Sequence, residues 1–102
     1  MKVRERIKLA KSLEATAEAL ADLATDPNWR VREAVARNKS ATDEVLALLA
    51  RDPNAWVREA VAGNEGAPDD ALALLAKDED KWIREAARKS KAVRRSVERR
   101  KI

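Results

Sequence analysis

The side chains that most often carry chemistry are missing from this chain. It has no His, Cys or Tyr, so the common general bases, a thiolate nucleophile, thiolate metal sites and the usual ligation of an iron–sulfur cluster are excluded. The few Ser have no partner base in any readable arrangement. Paired Asp69 and Asp70, and the cluster Asp78, Glu79 and Asp80, offer the oxygen ligands that a hard divalent cation prefers. Both groups stand at expected helix starts, where carboxylates favour the helix dipole, and that reading is preferred to a metal. The chain therefore reads as no enzyme, with no cofactor and no metal. At one end Arg88, Lys89, Lys91, Arg94, Arg95, Arg99, Arg100 and Lys101 crowd together. Such a segment suits a nucleic-acid backbone or an anionic surface, or serves as a plain solubilising cap. No aromatic residue is interleaved with it, which argues against stacking on single-stranded bases.

The elements that position these groups recur. DPNWRVREAVARN at 26–38 returns 26 residues later as DPNAWVREAVAGN at 52–64, and again, more worn, as DEDKWIREAARKS at 78–90. A fixed period of this length means stacked supersecondary units, each burying its apolar face on the next. Residues 2–25 align as a degenerate first copy: Arg6, Leu9, Ala10 and Ser12 fall where Arg32, Val35, Ala36 and Asn38 fall. The expectation is one domain over 1–102, with repeats at about 1–25, 26–51, 52–77 and 78–102.

Within a repeat, Asp26 is expected to cap a helix over 27–37, with Pro27 at its first position and Asn38 ending it in the left-handed conformation. Val31, Ala34 and Val35 form its inward stripe. A second helix follows to about 51, capped by Ser40 or Thr42. In the third repeat Pro68 opens a second helix whose apolar arc, Ala71, Leu72, Leu74 and Leu75, is wide enough to require enclosure. The first repeat is expected to break near 12–15. The last retains Val93 and Val97 as an apolar pair on a loosely docked final helix.

Net charge is +4, but the distribution is uneven: +4 over residues 1–11, −7 over 12–85 and +7 over 86–102. No long apolar run exists, and basic residues interrupt the first eleven positions. The expectation is a soluble, cytoplasmic protein without membrane insertion.

Asp26, Pro27, Trp29, Val31, Arg32, Ala34, Val35, Ala36 and Asn38, followed by the Leu-rich stretch 45–50, resemble the leucine-rich repeat variant family, and the likeness extends over nearly the whole chain. It implies a right-handed superhelix of paired helices, similar in logic to HEAT repeats, and a function in protein binding. The chain departs from the family pattern in lacking link prolines after Asn38 and Asn64 and in shifting the Trp to Trp56 and Trp82. The iron–sulfur domain of some relatives does not carry over, since there is no Cys.

The resulting expectation is an all-α, right-handed α-solenoid of about four stacked helix pairs of 26 residues, degenerate at both ends. Trp56 and Trp82, sharing an arc with Val57 and Ile83, read as core. Trp29, Arg32 and Arg58 are the candidate contacts for a partner protein; Trp29 alternatively packs on Pro27. Arg32, Arg58 and Arg84 also stand in register with Asp26, Asp52 and Asp78, as an inter-repeat ladder would require. Function reads as a protein-interaction scaffold. The alternatives are nucleic-acid binding through Arg88, Lys89, Lys91, Arg94, Arg95, Arg99 and Arg100, or a structural array with no ligand.

Overall fold

The computed structural model describes residues 1–101, with side chains described except at 96, 97 and 99–101. Seven helices are present among the described residues, and no strand: α1 (Val3–Lys11), α2 (Ala17–Leu23), α3 (Trp29–Arg37), α4 (Asp43–Leu49), α5 (Ala55–Ala62), α6 (Asp69–Leu75) and α7 (Lys81–Lys101).

The helix starts are set two residues later than Asp26 would place them. Asn28 Oδ1 accepts the N–H of Arg30 at 2.9 Å, Asn54 Oδ1 that of Trp56 at 2.8 Å, and Asp80 Oδ1 that of Trp82 at 2.8 Å. These are N-cap bonds. Asp26, Asp52 and Asp78 sit two residues before the caps, each accepting the N–H of the capping residue at 2.9 Å in a tight Asx turn. Their second oxygens are thereby free to point at the preceding repeat. Thr16 and Thr42 cap α2 and α4 through Oγ1, and Pro68 takes the same position ahead of α6 without a side-chain bond.

First helices pack side by side, α1 on α3, α3 on α5 and α5 on α7, while α2, α4 and α6 contact the helices before and after them in sequence. The result is a slab of 47 × 30 × 18 Å. Val31, Val35, Val57, Val61 and Ile83 meet Leu20, Leu46, Leu49, Leu72 and Leu75 in one continuous cluster, all but lost to solvent. Burying a side chain of this kind contributes about 1.5–3 kcal/mol. Ala10, Ala36 and Ala62 recur at one register with no exposure, and small side chains there let neighbouring first helices approach closely.

Three expectations are corrected. Asn38 is not left-handed: its backbone is extended, at φ −74° and ψ 127°. The last repeat holds one 21-residue helix rather than a pair, because Ser90 stands where Asn38 and Asn64 interrupt the chain and nothing after it breaks a helix. α7 therefore passes over α5 and on to α6. Its first half is docked by Ile83 and Ala87 in the core and its second half by polar groups, with Ser90 Oγ donating to the Ala62 carbonyl at 2.7 Å and Arg94 bridging Asp69 at 3.0 Å and the Glu65 carbonyl at 2.9 Å. Val93 is exposed, and Val97 lies outside the described side chains. Finally, the wide apolar arc of α6 is enclosed only in part: Ala71, Leu72 and Leu75 are buried, but Leu74, like Leu48 one repeat earlier, is exposed.

Candidate binding face

The arginines first considered as partner contacts are bound within the stack. Arg32 Nε donates to Asp52 Oδ2 at 2.8 Å and Nη2 to Oδ1 at 3.3 Å, while Nη1 donates to the Asp26 carbonyl at 2.6 Å. Arg58 repeats this on Asp78 and the Asp52 carbonyl, and Arg6 forks onto Asp26. Each guanidinium thus clamps the carboxylate of the next repeat while holding a backbone carbonyl beside it, a bidentate geometry that fixes orientation as well as energy. Arg84 makes the carbonyl half of the arrangement, to Asp78 and Glu79. The ladder leaves the Arg58 side chain only 11% exposed. Burial alone would raise the Asp26 carboxyl, but the Asn28 N–H and the Arg6 and Arg32 guanidiniums outweigh it and hold the group below its ordinary value.

Asn38 and Asn64 form a second inter-repeat tie that sequence reasoning missed. Asn64 Nδ2 donates to the carbonyls of Ala36 at 2.8 Å and Asn38 at 3.1 Å, and its Oδ1 accepts the Gly66 N–H. Asn38 does the same to Ala10, Ser12 and Ser40. The signal was the recurrence of Asn at one register in a buried setting, where two donors and one acceptor are needed together.

Trp56 and Trp82 lie outside the core, contrary to expectation, and Trp29 takes the packed alternative. Trp56 is 59% exposed and Trp82 70%, whereas Trp29 is partly buried and packs against the core. Val57, Ala60 and Val61 turn inward on α5, and Trp56 sits one position before that stripe, about 100° round the helix. Register shows the same thing: Trp56 and Trp82 align with Arg4 and Arg30, both exposed, and Trp29 aligns with Ala55. Between α5 and α7 the two exposed indoles wall a groove of about 460 Å³, lined also by Ala55, Ala86, Glu59, Glu85, Asp80 and Lys89.

The basic residues separate onto different surfaces. Arg88, Lys91 and Arg95 join Lys77 around a groove of about 540 Å³ between α6 and α7. Arg94 is engaged with Asp69 and Glu65, Lys89 lies beside the tryptophans, and Arg99 and Arg100 lie outside the described side chains. Among the described residues no cluster of metal-ligating side chains occurs, and no helix is long and apolar enough to cross a membrane.

The family model for the leucine rich repeat variant matches residues 29–54 and 55–80, two consecutive repeats that together cover half of the chain. No curated protein and no solved structure matches.

Proposed function

Since this chain belongs to the leucine rich repeat variant family, and no catalytic domain is identified in it, we propose that it is a non-catalytic helical repeat module binding another protein through the face of its first helices. The observation that carries this reading is the exposure of Trp56 and Trp82 at one register on adjacent helices. An indole left in water forgoes a large burial gain, and tryptophans dominate the energetics of protein interfaces. The ladder and the asparagine ties hold the surface beneath them rigid, so little ordering cost falls on binding.

The test is capture from a nuclease-treated lysate by the full chain and by a Trp56→Ser, Trp82→Ser variant, with Leu48→Ser as the control for an exposed apolar residue elsewhere. Proteins held by the full chain and the control should be lost with the double variant. Retention of the same proteins by all three would refute the binding face, and an empty capture throughout would favour an array without a ligand.

A second reading rests on the four cations around the α6–α7 groove. Phosphate contacts there would give binding to duplex DNA that weakens steeply with salt, with a log–log slope of about 0.9 per phosphate neutralised. Anisotropy of a labelled duplex at about 50 and 200 mM salt, with Arg88, Lys91 and Arg95 changed together to Gln, tests it. Substitution is preferable to truncation because α7 is packed on α5 and α6. Unchanged binding by the triple variant, or none at the lower salt, would exclude this groove.

A further inference from the structure

Resting on the protein-binding reading, we infer that the groove between α5 and α7 takes an arginine side chain from the partner, stacked against Trp56 and Trp82 and forked onto Glu59 or Glu85. The axes of packed helices lie about 8–10 Å apart, and Trp56 on α5 and Trp82 on α7 both line the groove between them.

The charge of the groove selects a cation. Glu59, Glu85 and Asp80 line the groove with Lys89, and Lys81 stands over the Trp82 ring, so three carboxylates meet two cations. In the preceding repeat Glu33 is paired with Arg37 at 3.7 Å, but Gly63 occupies the position of Arg37, so Glu59 has no i,i+4 partner on its own helix, and Arg37, which lines an adjoining pocket with it, is paired with Glu33. Neither Glu59 nor Glu85 forms an ion pair among the described residues. Asp80 caps α7 through Oδ1 and adds its charge at the groove's edge.

The indoles of this chain already take cations on their faces. The Arg30 guanidinium lies 5.1 Å from the centroid of Trp29, and Lys81 Nζ lies 5.9 Å from that of Trp82. Arginine is preferred to lysine because a planar fork both stacks on a ring and binds a carboxylate through two parallel N–H groups. Lysine offers a point charge and cannot do both.

The probe is an eight-residue peptide of alternating Ser and Arg, with versions in which Lys or citrulline replaces Arg. With only three tryptophans, each indole N–H is followed separately by ¹⁵N NMR. The Arg peptide should move the Trp56 and Trp82 signals and leave that of Trp29 in place. The Lys peptide should bind more weakly, and the neutral citrulline peptide should move neither signal. Glu59→Gln with Glu85→Gln should weaken the Arg peptide about tenfold, in the range of one desolvated charge-assisted contact. No movement of Trp56 and Trp82, an equal response to citrulline, equal movement of Trp29, or unchanged affinity in the Gln variant would each overturn the arginine assignment. If that happens while lysate capture still depends on Trp56 and Trp82, the binding face stands and its ligand is of another chemistry; loss of both removes the face itself.

Discussion

Replacing Asn64 by Ala should cost far more than its size suggests. The residue is 7% exposed and makes three hydrogen bonds, two of them to carbonyls of the preceding repeat. Ala36 is in the last turn of α3, where carbonyls lack intrahelical partners. With Ala at 64, the Ala36 carbonyl is left without a donor, whereas the Asn38 carbonyl keeps the Ala41 N–H and the N–H of exposed Gly66 can turn to water. At about 1–3 kcal/mol for the buried group left unpaired and about 1 kcal/mol for the second bond lost, the expected loss is about 2–4 kcal/mol. That is a large part of the roughly 5–15 kcal/mol that a domain of this size possesses. Asn64→Ser should lose about half as much, because Ser90 at the same register keeps one bond, to the Ala62 carbonyl. Asn64→Asp should be at least as damaging as Ala, since a carboxylate cannot donate and would face two carbonyl oxygens. Urea melts followed by far-ultraviolet circular dichroism measure all three. A cost below about 1 kcal/mol for Ala, or a Ser variant no better than Ala, would refute the inter-repeat tie.

Arg58→Ala should destabilise by about 3–5 kcal/mol, since it strands the Asp78 carboxylate and the Asp52 carbonyl; a loss like that of an exposed ion pair in the same melts would contradict the buried ladder. Leu72→Ala should cost about 2–5 kcal/mol by leaving a cavity, whereas Trp56→Ser and Trp82→Ser, at exposed positions, should each stay within about 0.5 kcal/mol. Gly63→Ala should stabilise by about 0.4–1 kcal/mol: φ there is −87°, an added Cβ meets nothing nearer than 3.7 Å, and the change restricts the unfolded chain. Asp26 is deprotonated in both states well above 3.8, so its contribution is fully present from about pH 5 upward; as pH falls through 3.8 the unfolded chain takes up the proton first, and stability is lost until the folded carboxyl also titrates. Melts between pH 5 and 2 should accordingly be flatter for Asp26→Asn than for the parent chain, and parallel curves would show that Asp26 is not linked to acid unfolding.

Much of the architecture is legible in the chain because it is a property of period. Copies of one 26-residue pattern at 26–38, 52–64 and 78–90 require equivalent elements in equivalent places, so the helix pairs, the core stripes Val31, Val35, Val57 and Val61, and a ladder of Arg and Asp between repeats follow from alignment and amphipathic spacing, while the structure pairs Arg32 with Asp52. The break between α1 and α2 was visible in the same way, though no Gly or Pro marks it. What period does not specify is which way a position faces once neighbouring helices have packed. A tryptophan one residue from an inward valine satisfies an apolar pattern equally well as core or as surface, and only the docking of α5 against α3 and α7 turns Trp56 to solvent while Trp29 settles on the core. Asn38 was readable as a chain interruption, but local rules offered it the left-handed conformation; its backbone is extended instead, and the carbonyls that Asn38 and Asn64 hold belong to residues 26 and 28 positions away. The groove of Trp56, Glu59, Trp82 and Glu85 likewise exists only between two helices, so its residues acquire a common chemistry when tertiary packing brings their separate registers side by side.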